Sequence, residues 1–132
     1  MVKKLGKFVK WQRKCAKIYN KIFKNSEIYS RPIEFNKYKH SYHFYPLQIK
    51  KIKNLVDKNN FMKHLVSKNI YLQSHYTPIS SYDYYKNRYN YSMKSYPNTF
   101  NFFIREVSLP TYAYIEDEKI EKIYNTINNY LT

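Results

Sequence analysis

In this 132-residue sequence, the side chains whose type and setting best suit chemistry are His75 and Tyr76. They close the run Lys68 to Ile79, which reads Lys-Asn-Ile-Tyr-Leu-Gln-Ser-His-Tyr-Thr-Pro-Ile. Histidine is the side chain that titrates near neutral pH, and residues held where a strand gives way to a loop are common ligand contacts. His43 is a third candidate, although a strand histidine in a small domain is more often structural than catalytic. Cys15 is the one cysteine. It excludes an intrachain disulfide, and its apolar helical neighbours mark it as packing. No Cys/His cluster has zinc spacing. Glu116, Asp117 and Glu118 crowd the start of a helical pattern, where carboxylates complement the helix dipole, so we do not read them as metal ligands. No residue is assigned a catalytic, cofactor-binding or metal-binding role.

The elements around these residues follow from periodicity. Alternation from Ile70 to Tyr76 sets Ile70, Leu72, Ser74 and Tyr76 on one face and Tyr71, Gln73 and His75 on the other, which predicts a half-buried strand. Asn69 suits the left-handed position that stops the preceding helix, and Pro78 ends the strand because it has no N–H to donate. That helix is predicted to run to Lys68 from Asp57 as N-cap, with Phe61, Met62, Leu65 and Val66 inward. Upstream, Val2 to Phe23 carries apolar residues at helical spacing (Val2, Leu5, Phe8, Val9, Ala16, Tyr19, Ile22, Phe23) with lysines between them. We read it as packed on the domain along one stripe rather than lying on a membrane or on phosphates. Asn25 to Tyr38 reads as a connecting loop. His40 to Ile52 predicts an aromatic strand with Tyr42, Phe44 and Pro46 alternating with His43, Tyr45 and Leu47, and Pro46 suggests a sheet edge. Ser80 to Tyr91 is too polar for a core element. A short helix from Tyr96-Pro97-Asn98 turns Phe100, Phe103, Ile104 and Val107 inward and ends at Ser108-Leu109-Pro110. The last helix, Glu116 to Leu131, has Ile120, Ile123, Tyr124, Ile127, Tyr130 and Leu131 on one stripe.

Size and charge bound the rest. The chain is one domain at most. Its net charge of +15 would suit nucleic acid or an anionic surface, but the charge is uneven. Residues 1–63 hold 17 Lys/Arg against 3 Asp/Glu, and residues 64–132 hold 7 against 6. Lys, Asn, Tyr and Ile are abundant and Gly occurs once, a bias that A/T-rich codons produce without any demand from a ligand. No apolar run reaches membrane-spanning length and no signal core stands at the N-terminus, so the expected location is cytoplasmic, with no membrane partner.

Several stretches resemble, in order, the small domain of the DegT/DnrJ/StrS family of pyridoxal-phosphate sugar aminotransferases. The His75-Tyr76-x-Pro78 segment resembles that family's Gly-Ile-x-x-x-x-His-Tyr-x-Pro. Val2, Leu5, Phe8, Gln12, Ala16 and Tyr19 resemble its opening helix, and His40, His43 and Tyr45 its His-x-x-His-Leu-Tyr strand. Tyr84, Tyr85, Tyr89 and Tyr91 match the aromatics of its Pro-Tyr-Tyr-x-x-x-Phe-Gly-Tyr stretch, with Ser80, Tyr82, Asp83 and Asn90 departing from the pattern. Tyr96-Pro97-Asn98 and Ser108-Leu109-Pro110 are similar to its Phe-Pro-Asn and Leu-Ser-Leu-Pro.

The resemblance implies an α/β fold: the two-layer small domain of the fold-type I aminotransferases, spanning residues 1–132 with the helix of residues 1–24 continuous with it. It implies a small, mostly antiparallel sheet covered by helices, with strands near 41–49 and 70–76 expected to pair. It further implies a C-terminal part of an enzyme that moves an amino group from glutamate to a 4-keto-6-deoxy sugar nucleotide, for surface glycan or amino-sugar biosynthesis. His75, Tyr76 and His43 would bind substrate. Pyridoxal phosphate would be held by a large domain, either a separate polypeptide or one missing from this chain, and the family's homodimer is the expected assembly. Schiff-base chemistry needs an activated lysine and a phosphate cradle. Gly6 is the only glycine and no lysine stands in a recognisable cofactor context, so no cofactor is expected on this chain alone and it should be inactive by itself. The alternative of a different class is a small basic nucleic-acid-binding module.

Overall fold

The computed structural model describes residues 2–132, with the side chains of Val2 and Lys3 outside the described ones. Among the described residues, five α-helices surround a three-stranded antiparallel sheet of order β1-β2-β3. The strands are β1 (Tyr29–Ser30), β2 (Tyr45–Ile49) and β3 (Glu106–Leu109). The helices are α1 (Val2–Ile22), α2 (Leu55–Ser67), α3 (Asp83–Tyr89), α4 (Pro97–Arg105) and α5 (Asp117–Leu131). No helix among the described residues is long and apolar enough to cross a membrane.

The core lies on one face of the sheet. Tyr45, Leu47 and Ile49 of β2 and Val107 and Leu109 of β3 are fully buried, together with Tyr19 and Phe23 of α1 and Ile120 and Ile127 of α5. Burying this many large side chains is the main stabilising contribution, at about 1.5–3 kcal/mol for each one. Aromatic pairs give the face its geometry. The Tyr19 ring lies 5.0 Å from that of Tyr45, and Phe23 meets Tyr29 and Tyr124 edge-on at 4.9 and 5.5 Å. Burial raises the phenol of Tyr19 far above its ordinary range and lifts that of Tyr29 to about 12. The Tyr19 hydroxyl donates to the Pro110 carbonyl, and that of Tyr45 to the Asn20 side chain. Cys15 is buried and unpaired in the same cluster.

Helix ends follow local rules. Asn54, rather than Asp57, caps α2: its side chain accepts from the Asp57 N–H, while the Asp57 carboxylate accepts from the Lys53 N–H. At the other end Asn69 is left-handed at φ 58°, as its position predicts. Ile70 N–H then donates to the Leu65 carbonyl and Asn69 N–H to that of Val66, the paired bonds of a Schellman turn. Pro97 occupies the first turn of α4, where its missing N–H costs nothing.

The sheet corrects four expectations. The run Asn25 to Tyr38 contains β1, which pairs Tyr29 with Ile49 and Ser30 with Gln48. The aromatic strand starts at Tyr45, not near 41, because Tyr42 has φ 54°, which no strand residue adopts. Its proline does not mark an edge strand, since β2 is central. Lys50 N–H donates to the Ile28 carbonyl on the β1 side. Pro46 is two pleats away, so its missing N–H points to the same flank, past the end of β1 at Ser30. Finally, the segment 70–76 does not pair with β2. The residues expected to finish α4 form β3 instead, which joins β2 on one side and bridges Gln73 through Ser108 on the other. The four-residue β3 therefore lies between the two segments that were expected to be neighbours, and the antiparallel α/β architecture stands. Asp83 to Tyr89 forms a helix, but none of its residues is buried, so it lies outside the core as its polarity predicts.

Candidate functional site

Where segment 71–75 meets β3, a groove of about 460 Å³ opens between Gln12 of α1, Phe44, Gln73, His75 and Tyr112. Ser108 and Leu109 at the end of β3, and Pro110 just after it, also line the groove. Alternation holds as far as the groove: Ile70 and Leu72 are buried, whereas Tyr71 is exposed. His75 is half-buried and lies flat on Phe44, with centroids 4.6 Å apart and planes 18° apart.

Beneath the ring is a buried polar cluster. Glu106 is fully buried and its carboxylate takes three donors. Oε1 accepts from the Ser108 hydroxyl at 2.6 Å. Oε2 accepts from the His75 backbone N–H at 2.9 Å and the Ser74 hydroxyl at 3.1 Å. The Ser108 oxygen also lies 2.7 Å from His75 Nδ1. On the far side the Lys58 ammonium donates to Ser74 Oγ at 2.6 Å, to the Glu106 carbonyl at 2.9 Å and to the Phe103 carbonyl. A buried charge is costly unless paired and hydrogen-bonded, and here Lys58 and Glu106 meet through one shared hydroxyl. Burial pushes the Lys58 ammonium down to about 8, with the nearby Glu106 charge partly opposing the shift.

Of the expected site residues, His75 lines the groove and is rigidly held. His43 also lines it. Its side chain is exposed beside Phe44, and its backbone carbonyl accepts from the Thr111 hydroxyl at 2.9 Å. Tyr76 is 71% exposed. Its ring stands edge-on to that of His75 at 4.6 Å, so it does not bury with Ile70 and Leu72 as alternation expects. Glu106, Ser108 and Lys58 were not singled out from the sequence. The available signal was the alternation Glu-Val-Ser-Leu before Pro110, which places Glu106 and Ser108 on one strand face and Val107 and Leu109 on the other.

Pyridoxal phosphate, which the resemblance brings in, requires a lysine free to form a Schiff base and backbone donors for a phosphate. The described residues do not fit that need. Lys58 has a lysine's depressed basicity but already donates to three protein acceptors and does not line the groove. Gly6 lies on exposed α1 with nothing within 4 Å of where a side chain would stand, so it forms no cradle.

Comparison with known proteins agrees with this architecture. The sequence profile of the DegT/DnrJ/EryC1/StrS aminotransferase family matches residues 1–128. The uncharacterised protein MJ1066 of Methanocaldococcus jannaschii is 30% identical over 118 residues, covering 89% of this chain and 31% of that protein. A Helicobacter pylori protein, UDP-4-amino-4,6-dideoxy-N-acetyl-beta-L-altrosamine transaminase, is 28% identical over 127 residues, covering 96% of this chain and 33% of its own length. Among solved structures, the pyridoxal-phosphate form of Spr1654 from Streptococcus pneumoniae superposes with a TM-score of 0.87 over 97% of this chain and 32% of that one, at 22% identity, a likeness of fold. The chain spans about a third of the length of the curated relatives it matches.

Proposed function

Because the chain belongs to the DegT/DnrJ/EryC1/StrS aminotransferase family, we propose that it is the C-terminal small domain of a sugar aminotransferase and supplies the wall that orients the sugar. Pyridoxal phosphate and the lysine that carries it are provided by a large domain outside these residues, and the amino group passes from glutamate to a 4-keto-6-deoxy sugar nucleotide. When bound there, the cofactor supplies the electron sink for amino transfer. This chain's own residues do the holding: His75 and His43 offer imidazoles and Tyr76 a phenol to sugar hydroxyls at the mouth of the groove. We further propose a homodimer as the working assembly and the cytoplasm as its location.

The observation that carries this reading is the seat of His75. A histidine at the position matched by the family's His-Tyr-x-Pro is stacked on Phe44 and tied to buried Glu106 by its backbone N–H and, through Ser108, by its ring, with a groove in front of it. Such fixed geometry is what a binding wall needs. The test is a hybrid in which this chain replaces the matching third of the Helicobacter pylori transaminase. The expected outcome is transamination of a keto sugar nucleotide, with kcat/KM falling in His75→Ala at unchanged Tm. A folded, cofactor-loaded hybrid that turns over nothing, or one indifferent to His75→Ala, overturns the proposal.

The basic face of α1 supports a second reading, a nucleic-acid-binding module. Lys7, Lys10, Lys17 and Lys39 line a shallow cleft there. Two cations of the same cleft are already committed, Arg13 to Glu34 at 2.9 Å and Lys14 to Asp117 at 3.3 Å. Binding of duplex or single-stranded DNA that weakens steeply with salt would favour this reading; phosphate contacts have that signature.

A further inference from the structure

Ser108 stands between a carboxylate and an imidazole and has one proton to give. Its oxygen is 2.6 Å from Glu106 Oε1 and 2.7 Å from His75 Nδ1. A hydroxyl donates once and accepts up to twice, and an ionised carboxylate only accepts. Three donors converge on the Glu106 carboxylate, and the Lys58 ammonium stands one hydroxyl away at Ser74. The carboxylate accepts from all three, with the Ser108 hydroxyl donating to Oε1 and the Ser74 hydroxyl and His75 backbone N–H donating to Oε2. The Ser108 proton is therefore spent on Glu106, and Ser108 Oγ can only accept from the ring.

We propose that Glu106 and Ser108 are positioning residues that fix His75 as the Nδ1–H tautomer and so present a bare Nε2 to the groove as a hydrogen-bond acceptor. Stacking on Phe44 sets the ring plane, the Nδ1–H bond sets its rotation, and Nε2 is the one ring nitrogen left to a ligand. An acceptor of this kind selects a hydroxyl or another N–H or O–H donor, and it disfavours a carbonyl or phosphate oxygen at the same point while the ring is neutral. The consequence for substrate choice rests on the reading of the groove as a sugar-binding wall, whereas the tautomer does not depend on it.

The tautomer is directly observable. Long-range nitrogen–proton correlation spectra of the uniformly labelled chain show which ring nitrogen carries the proton, with the His75 signals identified among the four histidines by their loss in His75→Gln. At a pH where the spectrum shows the neutral ring, the expected result is a protonated Nδ1 and a bare Nε2. Ser108→Ala should lose that pattern and shift the ring mainly to the Nε2–H form, and Ser108→Thr, which keeps the hydroxyl, should restore it. Phe44→Leu should leave the tautomer as it is. A wild-type ring protonated at Nε2 overturns the proposal, as does an Nδ1–H form that survives Ser108→Ala in a folded chain. If Ser108→Ala does not fold, the wild-type tautomer alone decides. Failure of the hybrid enzyme would count against the sugar aminotransferase reading and leave this result untouched.

Discussion

The His75 corner and the span from Ile79 to Tyr96 adjoin in sequence and are held by opposite means. At the corner, Glu106, Ser108 and Lys58 are buried and bonded to one another, and a half-buried ring is fixed in position by polar atoms. In the following span, Tyr82, Tyr84, Tyr89, Tyr91 and Tyr96 are all exposed. Rings of this span pair with one another, half-buried Tyr85 with Tyr89 at 6.2 Å and Tyr89 with Tyr91 at 5.5 Å. The same residue type builds the core elsewhere, as Tyr19 and Tyr45 show. Apolar content alone does not decide burial. What decides it is whether the backbone repeats present those rings on a face that another element can cover.

That contrast can be broken at several strengths. The largest effect is expected where packing carries everything: Phe23→Ala should cost about 3–5 kcal/mol in denaturant unfolding, because it empties a site walled by Tyr19, Tyr29 and Tyr124. Lys58→Met comes next. It removes the donor to Ser74, Phe103 and Glu106 and should cost about 1–3 kcal/mol, the penalty for leaving buried acceptors without a partner.

The Lys58 effect also has a pH signature. Burial lowers this lysine to about 8 in the folded chain, while in the unfolded chain it keeps its proton to higher pH. Between pH 8 and the ordinary lysine range the unfolded state therefore binds more protons, and stability rises with pH across that window. The stability gap between wild type and Lys58→Met should widen there. A flat gap would show that Lys58 is solvated, and a narrowing one that its acceptors hold the proton more tightly in the folded chain than in the unfolded one. The smallest effects belong to the tyrosine span. Tyr84→Ser and Tyr89→Ser should each stay within about 0.5 kcal/mol of wild type; a loss of core-sized energy would mean that the span is packed.

Much of the fold could be read from the sequence wherever several turns repeat one period. The first and last helices, the alternation that sets Tyr45 and Leu47 on one face, and the left-handed Asn69 all follow from spacing and residue type. Val2 of the first helix lies outside the described side chains, and Leu5 and Phe8 at its start are exposed, so the apolar stripe there outruns what this chain covers. Short elements were less legible. Strand β3 has four residues and follows α4 with no break, so Phe100, Phe103, Ile104 and Val107 continue a helical spacing until Glu106 turns extended at ψ 133°. Strand β1 has two residues and no period at all. His75 was visible as a residue at a strand end, but its support was not. A buried glutamate beside a serine looks like any polar pair until the sheet register sets it beneath a ring.

Native-state hydrogen exchange tests the central claim most directly, namely that the His75 corner is built into this chain and the tyrosine span is not. The amide of His75 is donated to Glu106 and that of Ser108 to the Gln73 carbonyl, at 2.9 and 2.8 Å. Both should exchange only through openings approaching the global unfolding energy, like the amides of buried Leu47 and Val107, while the amides of Tyr85 and Lys86 in α3 should exchange through local fraying at low energy. Exchange of the His75 and Ser108 amides as fast as those of α3 would contradict the account, because the ring would then have no fixed support to stand on.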